Sequence, residues 1–346
     1  MESTNKTPIS KLGEFKLIEH LTQATAIHHA ETTKGIGDDA AVIESKTGHK
    51  LLVTTDLLVE GIHFNLVYTP LKHLGYKAVA VNLSDIAAMN GTPKHITVSI
   101  AISSKFSVES LEQLYEGIHA ACNEFKVDLI GGDTTSSLTG LFISITAIGE
   151  AKQEDIVYRN GAKENELICV SGNLGASYLG LQLLEREYKM FLDNPSVQPD
   201  FSGKDYLLQR QLKPEPRLDV IQQLKEIGIK PSSMIDISDG LSSELNHICK
   251  NSNIGAKIYA HKIPIDAVTA ITAEEFNMAP ETAALHGGED YELLFTVPVE
   301  HLNKLLTIPT ISIIGKTTDV DEGIHLVLQG GSEVNLESKG WNSFEE

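Results

Sequence analysis

Basic side chains are scarce in this sequence. Its 346 residues carry 28 Lys and Arg against 47 Asp and Glu, a formal net charge of −19. So acidic a chain has no general electrostatic grip on nucleic acid or on an anionic membrane surface. Cysteine is scarcer still: Cys122, Cys169 and Cys249 stand far apart, with no CxxC pair. That pattern argues against a disulfide framework or a cysteine zinc site, and suits small buried residues in a reducing cytoplasm. No apolar run approaches the roughly 18 residues needed to span a bilayer. "MESTNKTPIS" has neither a basic n-region nor an apolar h-region, so no export signal is read and a cytoplasmic location is expected.

What is present is alternation. The length is comfortable for two domains, each able to bury a core. "HITVSIAIS" reads as a strand. "SVESLEQLYEGIHAACNEF" sets Val108, Leu111, Leu114, Ile118, Ala121 and Phe125 at three- and four-residue steps, an amphipathic helix. "LKHLGYKAVAVNLSDIAAMNGTP" has helical spacing, and Asn90-Gly91 followed by Pro93 is a stop signal. In "DISDGLSSELNHI", Ser242 or Ser243 is the expected helix cap. The polar stretch "AKQEDIVYRNGAKEN" marks a passage between domains, giving 1–150 and 151–346. Strands and helices with mixed connections suggest α/β and α+β domains.

The aspartates are placed unusually. Asp38 and Asp39 follow a glycine in "GIGDDAAV", Asp56 lies in "VTTDLLVEG", Asp133 in "LIGGDTTSS", and Asp236 with Asp239 in "MIDISDGLSS". Asp85 interrupts the apolar helix "AVNLSDIAAM". A solvated acidic face would mix Glu and Lys along helix stripes. Here short, rigid carboxylates sit beside apolar strands, with no Lys or Arg inside any of these segments. For a single aspartate, capping a turn is the ordinary explanation. For the set, convergence on hard cations explains more, and Asp85 has no capping role to play. Mg²⁺ takes a carboxylate or two per ion and completes its octahedron with water and substrate phosphates, so seven such residues imply several ions around a polyphosphate.

Rival phosphate signatures are weaker. Gly315-Lys316-Thr317 resembles the end of a P-loop, but the first glycine would fall at Thr310. "GIGDDA" fits GxGxxA, yet two acids stand where a pyrophosphate would approach. "GNLGASYLG" opens a helix, where an anion site and tight packing are equally good explanations.

With those residues assembled, the chain resembles the thiamine-monophosphate kinase family, part of the superfamily typified by aminoimidazole ribonucleotide synthetase. The likeness runs nearly end to end: "GEFKLIEHL", "GIGDDAAVI", "TTDLLVEGIHF", "KAVAVNLSDIAAMNGTP", "LIGGDTT", "RNGAKENELICVSGNLG", "KPEPRL", "DISDGLSSELNHI", "GGEDYELLFTV" and "GWNSF". The resemblance implies ATP-dependent phosphorylation of thiamine monophosphate to thiamine diphosphate by direct in-line transfer. It implies Mg²⁺ ligands at Asp38, Thr54, Thr55, Asp56, Asp85, Asp133, Asp236 and Asp239. Nucleotide contacts would be Tyr115, Gly132, Asp133, Arg159 and Ser238, and substrate contacts His63, Glu289 and Trp341. No residue is implied as a catalytic base; several Mg²⁺ ions assist, and a K⁺ requirement is left open. "GWNSF" keeps the family's aromatic residue but lacks its usual acid and His. The family fold pairs an N-terminal α/β domain, whose sheet meets its twin's in a homodimer, with a C-terminal α+β domain completing the cleft. On this reading Asp38 is a ligand, whereas Asp39 only shapes the turn or orients its neighbour. Two other readings suit the same aspartates. One is another ATP-using enzyme of the superfamily, such as a cyclo-ligase or selenophosphate synthetase; the other is a non-catalytic Mg-nucleotide-binding protein.

Overall fold

The structure is a computed structural model and describes residues 31–34, 37–45, 48–196 and 198–337. "GEFKLIEHL" and "GWNSF", with Trp341, lie outside the described residues.

The first sheet contains β1 (Thr32–Lys34), β2 (Ala41–Glu44), β3 (His49–Val59), β4 (Thr92–Ile102), β5 (Asp128–Ser136) and β6 (Phe142–Lys152). Its order is β1-β2-β3-β6-β4-β5, antiparallel except for the β4–β5 pair. Side chains alternate across β3: Leu52, Thr54 and Leu58 are buried, while Thr55 and Leu57 face outward. Two helices cover the inner face, α1 (Leu71–Ala88) and α2 (Val108–Phe125).

Helix α1 is the hub of the molecule. Residues 74–84 are buried without a break, as expected for a helix apolar on every side. It ends where the stop signal lies, with Asn90 in the left-handed region at φ 57°. A Cβ on Gly75 would meet the Leu114 carbonyl at 2.0 Å, and one on Gly117 would meet that of Lys72 at 1.9 Å. The paired glycines therefore permit backbone contact between α1 and α2. Ser107 caps α2 by accepting from the Ser110 N–H at 3.2 Å. Leu114, Ile118 and Ala121 bury its inner stripe, but Val108, expected on that stripe, is 68% exposed at the first turn.

The second sheet holds β7 (Glu166–Ser171), β8 (Ser233–Asp236), β9 (Gly255–Tyr259), β10 (Leu293–Pro298), β11 (Ile311–Thr318), β12 (Ile324–Val327) and β13 (Glu333–Asn335). Their order is β13-β12-β9-β11-β7-β10-β8, with one parallel pair, β9–β12. Around it pack α3 (Ala176–Asp193), α4 (Asp205–Leu212), α5 (Leu218–Glu226), α6 (Leu241–Ser252), α7 (Ala267–Glu275), α8 (Pro280–His286) and the single turn α9 (Leu302–Leu305). Gly315-Lys316-Thr317 lie within β11, where no phosphate cradle forms. Helix α6 starts at Leu241 after Gly240, so Ser242 and Ser243 sit in its first turn rather than capping it. The Ser242 hydroxyl instead pairs with His286 Nδ1 at 2.9 Å. All three cysteines are buried and free.

The two sheets share one helix. Ala87 and Ala88 of α1 belong to the apolar cluster that contains Met234, Phe295 and Val297 of the second sheet. This packing presents the C-terminal end of α1 to the end of β8.

Candidate active site

Three carboxylates meet at that junction. Asp39 comes from the loop before β2, Asp85 from α1 and Asp236 from the end of β8. One oxygen of each lies within 4.8 Å of the other two, the one such group among the described residues. Each is held by a neighbour. The Thr54 hydroxyl donates to Asp85 Oδ2 at 2.5 Å, and the Ser84 hydroxyl donates to Asp236 Oδ2 at 2.6 Å. Asn82 accepts from the Asp56 backbone N–H at 3.1 Å and donates to the Ala78 carbonyl at 3.0 Å, tying β3 to α1.

Arg159 supplies the local positive charge. Its Nη2 donates to Asp39 Oδ1 at 2.6 Å and its Nε to Oδ2 at 3.1 Å. Asp38 accepts instead from backbone N–H groups, that of Asp39 at 3.1 Å and that of Arg159 at 3.3 Å. The aspartate converging with Asp85 and Asp236 is therefore Asp39, not Asp38. Both side chains are buried, at 2% and 1% exposure, but only Asp39 comes within reach of Asp85 and Asp236.

One arginine does not neutralise this group. Burial, then the charges of Asp56, Asp236 and Asp39, push Asp85 well above the usual carboxylate range. Asp236 is pushed up to about 8 by burial and by Asp39. Asp56 and Asp38 are each raised to about 6, chiefly by burial. Such a site gains most from a hard cation, and its donors are all oxygen, so the residues present fit Mg²⁺.

The other expected ligands are spread around the cluster. Thr55 lies on the opposite face of β3 and donates to the Ile145 carbonyl at 3.0 Å. Asp239 lies beyond Asp236 in "DISDG", its N–H donating to Glu244 Oε1 at 3.1 Å. The Ser238 hydroxyl donates to the same oxygen at 3.4 Å. Glu244, hidden in α6, is pushed up by burial and by Asp239. Asp133 lies on the exposed edge strand β5 and is not one of the three converging carboxylates. With Tyr115 and Gly132 it lines a groove of about 450 Å³ that Val98 and Leu129 also border. A Cβ on Gly132 would sit 1.9 Å from the Val98 carbonyl oxygen, so glycine keeps this wall flat.

The loop "GGEDYE" is bound to "DISDG" by its backbone. The Glu289 N–H donates to the Ser238 carbonyl at 2.6 Å and the Tyr291 N–H to that of Ile237 at 2.8 Å. Both residues are left-handed, at φ 58° and 51°, a strained state for side chains of this size. Below them Glu292, fully buried, accepts from Arg217 at 2.6 and 2.7 Å, from Arg210 at 2.8 Å and from Ser171 at 2.5 Å. Thus "KPEPRL" supplies Arg217 to brace that loop. Asp290 accepts from the Gly175 N–H at 2.7 Å, so the N-terminus of α3, in "GNLGAS", receives the protein's own carboxylate. Glu289 is gripped from both domains: Lys77 of α1 reaches Oε1 at 3.0 Å, and Gln211 of α4 donates to Oε2 at 3.0 Å. His63 Nδ1 accepts from the Val59 N–H at 3.0 Å, which fixes the ring after β3.

Sequence reasoning missed Lys77, Asn82, Ser84, Glu244 and the Glu292 cluster, and it gave Asp39 to the turn. For three of them a signal was present, because Lys77, Asn82 and Ser84 break the same apolar helix that Asp85 breaks.

Similar proteins share this architecture. Residues 37–151 match the family model "AIR synthase related protein, N-terminal domain", and residues 165–327 match its C-terminal counterpart. A thiamine-monophosphate kinase of Bacillus subtilis (strain 168) is 38% identical over 96% of this chain and 100% of its own length. The solved structure "AaThiL complexed with AMPPCP and TMP" superimposes with a TM-score of 0.82 at 33% identity, covering 98% of this chain and 99% of the other. The thiamine-monophosphate kinase structure from Stenotrophomonas maltophilia K279a gives 0.72 at 31% identity, over 93% and 98% of the two chains.

Proposed function

Since the chain belongs to the AIR synthase related family and, within it, to the thiamine-monophosphate kinases, we propose that it transfers the γ-phosphoryl group of ATP directly to thiamine monophosphate, giving thiamine diphosphate. The observation that carries this reading is the meeting of Asp39, Asp85 and Asp236, from three elements and both domains, beside Arg159.

Phosphoryl transfer asks little covalent work of a protein; position and charge carry it. Asp39, Asp85 and Asp236 would hold Mg²⁺, with Asp38, Asp56, Asp239 and the Thr54 hydroxyl nearby for further ions and Asp133 offering a carboxylate from the groove. When bound, Mg²⁺ neutralises and aligns phosphate oxygens. Tyr115, Gly132 and Asp133 line the groove in which we place the nucleotide, with Ser238 and Arg159 toward its phosphates. His63 and Glu289 address the substrate, and Trp341 is assigned to it by resemblance alone. The acceptor is a phosphate oxygen already ionised near neutrality, so no side chain need remove its proton. Residues 1–150 would form the Mg-nucleotide half and 151–346 the half that completes the cleft. We assign the outward face of the first sheet, where Leu57 is 55% and Ile130 57% exposed, to contact with a second copy in a homodimer. No helix among the described residues is long and apolar enough to cross a membrane.

The test is product formation from ATP and thiamine monophosphate with and without Mg²⁺. Thiamine diphosphate should appear only with the metal. ATP binding without any thiamine diphosphate would overturn the reading in favour of a nucleotide-binding protein.

A further inference from the structure

A recess of about 370 Å³ lies in the second domain, between the turn after β7, the start of β11 and α4. It is not the aspartate site. In the second sheet β7 and β11 stand two and three places from β8. At about 4.8 Å per strand, that is roughly 10–14 Å from the strand carrying Asp236. Three cations line the recess, Arg210, Lys213 and Arg217, against one acid, Glu215.

Those cations are only partly spent. Arg210 and Arg217 share one carboxylate, that of the buried Glu292, at 2.8 Å and at 2.6 and 2.7 Å. A Cβ on Gly172, at the wall of the recess, would meet Glu292 Oε1 at 2.1 Å, so this acid stands behind the lining. The Arg210 side chain is 9% exposed, and only its Nη2 is bonded, to Glu292 and to the Asp290 carbonyl. Its Nη1 and its shielded Nε have no hydrogen-bond partner among the described residues. Arg217 Nη1 has Glu215 at 3.7 Å, beyond hydrogen-bond reach. Lys213 pairs with the exposed Glu124 at 3.4 Å, a contact that water weakens. Buried N–H groups of a guanidinium are costly to leave unpaired, and an arriving acceptor relieves that cost.

Planar N–H forks suit phosphate oxygens, and the third cation favours a dianion over a carboxylate. The volume is that of a small-molecule site, with room for more than the anion. Tyr206, Pro264 and Pro309 supply an apolar wall. We propose that Arg210, Arg217 and Lys213 form an anion site, separate from the aspartates, that takes the phosphate group of a small phosphate monoester and sets its organic part against Tyr206 and the two prolines. This site needs no metal, and it does not depend on the kinase reading.

Calorimetric titration of the full chain without Mg²⁺, at constant ionic strength, tests this with glycerol phosphate, inorganic phosphate and acetate. One saturable site should appear for glycerol phosphate, a weaker one for inorganic phosphate and none for acetate. Thr310 is exposed at the recess, and its backbone carbonyl, not its side chain, accepts from the Gly172 N–H. Thr310→Glu brings a like charge to the anion and should weaken glycerol phosphate about tenfold. Thr310→Gln, equal in size but neutral, should weaken it by less than about threefold. Lys213→Gln leaves Glu292 and both arginines in place and should weaken it about three- to tenfold. The proposal is overturned by the absence of saturable binding or by acetate binding as tightly as the ester. Equal losses in the two Thr310 variants, or undiminished binding in both Thr310→Glu and Lys213→Gln, would overturn it too.

Discussion

Arg159 closes a two-point ion pair on Asp39, at 2.6 and 3.1 Å, inside the group of carboxylates that is suited to a metal. The Asp39 side chain is 1% exposed and that of Arg159 20%, so little water shares the charge. The arginine is thus the resident counter-ion of the metal-free site. Removing it should leave Asp39 buried and unpaired. We expect Arg159→Gln to cost about 2–4 kcal/mol of unfolding free energy without metal. Saturating Mg²⁺ should recover most of that loss by supplying the missing charge. Urea unfolding with and without Mg²⁺ checks it, and an equal deficit in both would contradict the counter-ion role.

The raised acids give the metal-free protein a definite pH dependence. Asp236 is pushed up to about 8 and Asp56 to about 6, both above their unfolded values. Between the ordinary carboxylate range and those values the folded state binds more protons than the unfolded one, so stability falls as pH rises. Metal-free unfolding free energy should therefore decline from about pH 5 to pH 9. Mg²⁺ favours the ionised forms and should flatten the slope. Metal-free stability that rises over this interval would show that the carboxylates are better compensated than their burial indicates.

Asp85→Asn separates stability from function. Burial and the neighbouring acids oppose a charge on Asp85, and an amide of the same shape removes that cost while keeping an acceptor for Thr54. Metal-free stability should rise by about 1–3 kcal/mol. Stabilisation by Mg²⁺ and turnover should both be largely lost. A variant that retains full Mg²⁺ stabilisation would remove Asp85 from the ligand set.

Gly132→Ala addresses the groove alone. The added methyl meets the Val98 carbonyl at 1.9 Å, so β5 must move off β4. Overpacking of this kind costs about 1–3 kcal/mol. Because Tyr115 and Asp133 share the groove, the ATP KM should rise while that for thiamine monophosphate stays near wild type. Equal changes in both would place the nucleotide elsewhere.

How much of this was legible in the sequence depends on the range of each signal. Helix α1 and its stop at Asn90 were local, and so was Asp85, conspicuous in its apolar surroundings. The choice between Asp38 and Asp39 was not local. It turns on which of two buried side chains reaches Asp85 and Asp236 and on an arginine 120 residues away. The first turn of α6 misled for a related reason: Ser242 looked like a cap, but His286 from another helix claims its hydroxyl. Glu292, Arg210 and Arg217 are likewise joined only by folding. Each reads alone as an ordinary charged residue.

Lys77 is the least expected of these long-range partners and gives the sharpest test of how the two domains cooperate. Its ammonium is carried by a buried stretch of α1, 4% exposed, and reaches the Gln211 carbonyl at 3.2 Å and Glu289 at 3.0 Å. It therefore clamps a helix of the second domain and the strained "GGEDYE" loop to the hub of the first. Lys77→Met keeps the aliphatic stem and deletes the charge. Glu289 then keeps only Gln211 and loses its fixed direction, while the aspartate cluster and the groove at Gly132 are untouched. The KM for thiamine monophosphate should rise by about tenfold, equivalent to about 1.4 kcal/mol. The ATP KM and Mg²⁺ stabilisation should hold at wild-type values. Lys77→Arg should recover part of the effect, since it restores the charge on a longer stem. An ATP KM that rises in step would mean that Lys77 sets the closure of the whole cleft and not the direction of Glu289.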